Sequence, residues 1–317
     1  MEFAFEEMER TQSKLSVEIH GPSGSGKTTA ALKIAMGIRN QLYKGSSLKD
    51  IGLYIDTERR SSTKAVGRSV GGETLESMTL YDFEPPYDIY KLANLIEYAV
   101  SKGKKIIVID SATAFWSGQE GILERAADLE VSLADAKKMY GAWSEKEIIQ
   151  KKNLLKQIMT NANAHLIVCC RAKTEYVMEA NSRGKLAPKA VGLKEDMQGD
   201  VRYEFDVVLS LDRESHNVSV VKDRIGYEEI RLTSENPEAP LTVADGEALA
   251  KIVSEGISME EMLKRKTETL ISFILSEKEH KSSKVKLFEE AKKIELTEAF
   301  LRSKNYETLV KIVNIIK

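Results

Sequence analysis

Apolar and polar positions follow two rhythms along the first three quarters of the chain. Residues 15–19 alternate apolar and polar, and short apolar, β-branched runs occupy 51–55, 78–83, 106–109, 166–170, 207–211 and 218–221. Between them lie longer stretches in which apolar residues recur at helical spacing, at 28–38, 88–100 and 142–158. The runs predict strands and the stretches predict helices. Ile106-Ile-Val-Ile109 has no polar face, which suits the buried centre of a parallel sheet. Strands alternating with helices predict an α/β sandwich with a largely parallel central sheet. Only residues 212–217 separate the last two runs, so these predict an antiparallel hairpin.

The pattern changes near residues 236–246, where Pro237, Pro240 and Gly246 cluster. Beyond them the residues read as helices only. Ser258 and Glu261 form a capping box before Met262, Leu263, Leu270, Ile271 and Ile274. Tyr306, Leu309, Val310, Val313 and Ile316 make a last apolar stripe. The expected organisation is an α/β domain over residues 1–245 and a small helical appendage over 246–317.

The chemistry is densest between the first strand and the first helix. Gly21, Pro22, Ser23, Gly24, Ser25, Gly26, Lys27 and Thr28 form a full Walker A phosphate loop, followed by Thr29. The glycines let the backbone approach an anion closely, and successive N–H groups form a nest for the β-phosphate. Lys27 is a point charge for the β- and γ-phosphates, and the Thr28 hydroxyl is a Mg²⁺ ligand. The cofactors implied are ATP and Mg²⁺. Lys104-Lys-Ile-Ile-Val-Ile-Asp110-Ser111 is a Walker B pattern, with Asp110 at the end of a buried strand to hold a water in the Mg²⁺ shell. No second acid follows Asp110, so the hydrolytic base must come from elsewhere. Arg171 follows the run 166–170 at the rim where open α/β sheets bind ligands. It can sense a γ-phosphate or pair with a carboxylate, and the sequence leaves both open.

Composition removes some classes. The 317 residues are 42% hydrophobic and 30% charged with a net charge of −2, so no global basic field argues for nucleic acid. Residues 251–317 carry 14 Lys/Arg against 11 Asp/Glu, which reads as a solvated helical face. Cys169 and Cys170 are neighbours on an expected strand and so point to opposite faces, which fits a reduced, cytoplasmic protein. The acidic N-terminus does not read as a signal peptide, and no apolar run is long enough to span a membrane. His20, His165, His216 and His280 show no metal spacing.

From residue 12 to 233 the chain resembles bacteriophage-type ATP-binding proteins of the AAA/RecA-like P-loop class. The resemblance rests on residues 21–29 and 107–111, and on Ala142-Trp-Ser-Glu145 on a helix. It rests further on Arg171-Ala-Lys-Thr-Glu-Tyr-Val177, Tyr203-Glu-Phe-Asp-Val-Val208 and Lys222-Asp-Arg224. The base of RecA-like ATPases lies just past the strand after the phosphate-loop helix; Glu58 matches that place, with Asp56 as runner-up. Lys222 and Arg224 resemble a Lys-x-Arg hairpin that reaches a neighbouring subunit's γ-phosphate, which implies a ring or filament of identical chains. Residues 173–202, with Gly184, Pro188, Gly192 and Gly199, fall where RecA-like proteins have a DNA-contacting loop, though the charges there nearly cancel. A mobile loop without a partner fits them as well. The role implied is DNA recombination, single-strand annealing or replication, on single-stranded DNA or with a recombination or replication protein. The alternative is a nucleotide-dependent switch or loader acting on a protein. A small-molecule kinase would need an arginine-rich lid and an acceptor pocket, and neither is legible.

Overall fold

The computed structural model describes residues 8–132, 141–180, 186–234, 236–280 and 282–316. Its strands are β1 Ser16–Gly21, β2 Gly52–Asp56, β3 Ser69–Val70, β4 Glu73–Thr74, β5 Thr79–Asp82, β6 Ile106–Asp110, β7 His165–Ala180, β8 Leu186–Glu195, β9 Val207–Leu211 and β10 Val218–Asp223. The main sheet has the order β10-β9-β1-β7-β6-β2-β5, with β8 paired to β7. All its pairs are parallel except β9–β10 and β7–β8. The expected α/β class and the hairpin of the last two runs are both present.

Every residue of β1, β2 and β6 is buried; the unbroken apolar run of β6 requires it, whereas β1 buries the polar Ser16, Glu18 and His20 between its apolar residues. One face of the sheet packs on the helices Lys27–Leu42 and Val243–Ser254 through Val17, Ile19, Ile34, Ile38 and Leu249. The other packs on Ile89–Ser101 and Lys146–Asn161 through Ile107, Ile109, Leu92, Ile96 and Leu155. Cys169 enters the first layer and Cys170 the second, so the pair is divided by the sheet. At about 1.5–3 kcal/mol for each large apolar side chain buried, these layers hold the strand ends rigidly in place.

Three expectations are corrected. Residues 173–202 do not form one loop. β7 runs on past Cys170 to Ala180, and β8 returns antiparallel to Glu195. Pro188 and Gly192 argued for a loop, but a two-stranded ribbon leaves one edge of each strand open, and there proline is tolerated. The side chains of residues 174–193 lie outside the described residues, including Tyr176 and the cations Arg183, Lys185 and Lys189. The helix expected from Ala142 begins only at Lys146; Ala142-Trp-Ser belongs to a 3₁₀ turn, Gly141–Ser144, with Glu145 as the cap. Trp143 leans on Trp116 from this turn, with ring centroids 6.1 Å apart.

The domain boundary also moves. The chain divides into one compact unit of Lys14–Val253 and another of Ser254–Lys317 with Met1–Ser13. The helix Val243–Ser254 thus belongs to the α/β unit, because Leu249, Ala250, Ile252 and Val253 are buried in its core. In the smaller unit, the helices Met259–Glu279, Ser283–Lys292, Glu298–Arg302 and Tyr306–Ile316 enclose a core of their own around Ile274, Phe288, Leu301 and Leu309. The Ser258 hydroxyl accepts the Glu261 N–H, so the expected cap is made. No helix among the described residues is long and apolar enough to cross a membrane.

Candidate nucleotide site

The phosphate loop leaves the end of β1 and enters the helix Lys27–Leu42. Gly21 is required by close approach: a Cβ there would lie 2.5 Å from Ser25 Oγ and 2.8 Å from the Leu211 carbonyl. Gly26 is required by conformation, with φ +91°. No side chain caps this helix and its first turn holds no acid. Its leading N–H groups are therefore left for an external anion, and the macrodipole favours one. Lys27 Nζ donates to the carbonyls of Gly21 and Pro22, both at 2.9 Å. A phosphate would outbid these neutral acceptors for a full charge.

Asp110 ends β6 and is almost fully buried. Its Oδ2 accepts from the Thr28 hydroxyl at 2.6 Å and from the Tyr54 phenol at 2.7 Å. Burial pushes the Asp110 carboxyl up, and these two hydrogen bonds oppose that shift. Burial and the Asp110 charge push Tyr54 well above its ordinary value, so it stays a donor. A hydroxyl beside a carboxylate is a hard oxygen pair that fits Mg²⁺.

Asp56 is level with Asp110 in the β2–β6 register, yet it is turned to another task. It accepts the Glu58 N–H at 2.7 Å and both the N–H and the hydroxyl of Ser62. Asp56 thereby shapes the turn that presents Glu58. Glu58 Oε1 lies 3.1 Å from both Nε and Nη2 of Arg171. Arg171 is held in turn by its N–H on Thr113 Oγ1 at 2.9 Å. The reading of Arg171 as a carboxylate partner is thus realised, on the very residue matched to the base. Ser23, Gly24, Gly26, Lys27, Thr28, Glu58, Asp110 and Arg171 line one cavity of about 620 Å³.

Lys222 and Arg224 are not brought to this cavity. Lys222 pairs with Val208 and Asp223 with Val207, level with the start of β1, whereas the phosphate loop follows its end. Three residues of strand, roughly 10 Å, separate those levels. Lys222 Nζ donates to the carbonyls of Arg202 at 3.1 Å, Tyr203 at 2.8 Å and Phe205, and Arg224 donates to Tyr203. Within one chain they fasten the turn Val201–Glu204.

Four residues escaped the sequence reading: Tyr54, Thr57, Thr113 and His216. Thr57 Oγ1 donates to the Ser111 carbonyl and accepts the Ser111 N–H, joining the β2 and β6 ends. His216 Nδ1 lies 3.1 Å from the Ser25 carbonyl, so the β9–β10 turn rests on the phosphate loop. Tyr54 carried a signal, a polar tip in an otherwise apolar strand; the other three had none. The fold also gathers Glu18 and His20 of β1 with Glu195 at the end of β8, with ligating atoms within 4.8 Å of one another. His20 pairs with Glu18 at 3.2 Å and Arg202 with Glu195, so the cluster satisfies itself. Burial pushes the Glu18 carboxyl up.

A parallel sheet with a strand between the phosphate-loop strand and the Asp110 strand, and with a phosphate loop facing Asp110, defines a P-loop nucleoside triphosphatase domain. The chain belongs to the AAA domain family, whose sequence model matches residues 13–239, and so to the nucleotide-binding ATPases. Comparison with curated proteins gave no match.

Proposed function

We propose that the protein is a Mg²⁺-dependent ATPase that hydrolyses ATP to ADP and phosphate in DNA recombination, single-strand annealing or replication. One observation carries the catalytic reading: Lys27, Thr28, Asp110, Glu58 and Arg171 line a single cavity above an uncapped helix N-terminus. Lys27 would exchange the Gly21 and Pro22 carbonyls for the β- and γ-phosphates. The Thr28 hydroxyl and Asp110 would hold Mg²⁺, which would supply positive charge against the phosphates. Glu58 orients the attacking water and draws on its proton. Arg171 stands where charge on the departing phosphoryl group needs a cation. Lys222 and Arg224 point away from their own site, which supports a role at a neighbouring chain in a ring or filament. The DNA role rests on the motifs that resemble those of phage-type ATP-binding proteins, and a place in the cytoplasm on the buried, free Cys169 and Cys170.

The second reading, a nucleotide-dependent switch acting on a protein partner, has one observation in its favour. Arg171 is paired with Glu58, the residue matched to the base. A partner that released this pair would set the turnover rate.

Glu58→Gln tests the base. It should keep ATP binding and lose roughly 10²–10⁴ in turnover. Normal turnover in Glu58→Gln alongside inactive Asp56→Asn would move the base to Asp56. Stimulation of the parent by single-stranded DNA supports the recombination reading, and its absence favours the switch.

A further inference from the structure

We propose that Tyr54 is a positioning residue for the metal–nucleotide site, fixing Asp110 so that the Thr28 hydroxyl presents its lone pairs to the cation. The proposal rests on the reading of this cavity as a Mg²⁺–nucleotide site. Thr28 and Tyr54 donate to the same oxygen, Asp110 Oδ2, at 2.6 and 2.7 Å. A carboxylate oxygen accepts about two hydrogen bonds, so Oδ2 is filled by these hydroxyls. A threonine hydroxyl has one proton, and here that proton is committed to Asp110. What remains on Thr28 Oγ1 is its lone pairs, the part a hard cation uses. Asp110 thus sets the direction of the Thr28 hydroxyl, and Tyr54 sets the direction of Asp110.

Tyr54 is built for this task. Its backbone is locked in β2 between Val108 of β6 and Leu80 of β5. Its ring belongs to the core cluster that also holds Leu32, on the helix that begins with Lys27 and Thr28. Tyr54 and Asp110 are 2% and 1% exposed, so water does not compete for the bond between them. One side chain therefore ties β2, β6 and the phosphate-loop helix together at the atoms that face the metal. A phenylalanine would pack as well but leave Oδ2 a partner short. The alternative is that the hydroxyl merely satisfies a buried phenol, in which case only stability depends on it.

The test is the Mg²⁺-dependent part of ADP affinity, measured by calorimetry as the ratio of ADP dissociation constants without and with Mg²⁺. Loss of an outer-shell partner typically weakens metal binding about 10- to 100-fold. Tyr54→Phe should therefore lower the ratio by about 10-fold or more, with Mg²⁺-free ADP affinity unchanged. Leu80→Ala removes packing beside the same ring but no hydrogen bond. It should lower the unfolding midpoint and leave the ratio alone. The inference is overturned if Tyr54→Phe keeps the parental ratio, if it weakens Mg²⁺-free ADP equally, or if Leu80→Ala lowers the ratio as much. A parent whose ADP binding ignores Mg²⁺ overturns both this inference and the nucleotide-site reading. A parental ratio well above one with an unchanged variant overturns this inference alone.

Discussion

Replacing Gly246 with alanine should prise the phosphate-loop helix from its neighbour. The helices Lys27–Leu42 and Val243–Ser254 meet backbone to backbone at Gly37 and Gly246. A Cβ at Gly246 would lie 2.5 Å from the Ile34 carbonyl oxygen, 2.8 Å from Ile34 Cα and 3.0 Å from Gly37 Cα. All three are main-chain atoms, so no side chain can swing aside and the helices must part. Alanine returns about 1 kcal/mol of helix propensity over glycine. Overpacking of this kind costs about 1–3 kcal/mol and occasionally more. The clash engages rigid backbone at three points, so we take the upper part of that range and expect a net loss of about 1–2 kcal/mol. Gly199→Ala is the control, since its Cβ would meet only Lys194 Nζ at 3.9 Å. Urea unfolding followed by tryptophan fluorescence reads the right unit, because Trp116 and Trp143 both lie within Lys14–Val253. Gly37→Ala should act alike, its Cβ falling on the Val243 carbonyl, and the double variant should lose less than the sum. A Gly246→Ala midpoint equal to the parent's, or above it, would refute the reasoning.

The revised boundary predicts that a chain ending after Val253 keeps cooperative unfolding and ATP binding, while one ending after Pro240 loses both. The shorter chain lacks Leu249, Ile252 and Val253, each burial being worth about 1.5–3 kcal/mol; a stable, ATP-binding product from it would contradict this. His165 supplies a pH dependence, because burial lowers its pKa to about 3 from an ordinary 6.5. Folding favours the neutral ring, which accepts the Leu15 N–H at Nδ1, so its share of stability is complete above pH 6.5 and falls as pH drops toward 3. The slope is up to about 1.4 kcal/mol per pH unit, and His165→Asn should flatten it in urea titrations; an unchanged slope assigns it to other groups. Finally, Arg224→Ala and Lys27→Ala should each be nearly inactive alone yet regain ATPase activity when mixed, since one boundary then holds an intact loop and intact fingers. Mixed oligomers seen by mass photometry without recovery would exclude action across a subunit boundary.

Local patterns alone were enough for the phosphate loop, Asp110 and the strand–helix alternation. Glycine spacing, an unbroken apolar run and helical periodicity are each written within about twenty residues, and each reflects a conformational demand of the same segment. Glu58 was matched to the base only through the resemblance to RecA-like ATPases, with Asp56 two residues before it on the same strand end. The errors came where local signals conflicted with distant partners. Pro188 and Gly192 looked like loop residues until β7 gave them a strand to pair with, and the prolines before Val243 looked like a domain end until Gly246 found Gly37. The candidate site itself is a product of strand order. The order β1-β7-β6-β2 brings Arg171 to Glu58 across 113 residues and Asp110 to Thr28 across 82. Tyr54 reaches Asp110 across 56 residues, and the β9–β10 turn puts His216 on the phosphate loop across 191. Sequence fixes what each segment is; which side chains share a hydrogen bond depends on how the buried strands are ordered, and no single segment contains that information.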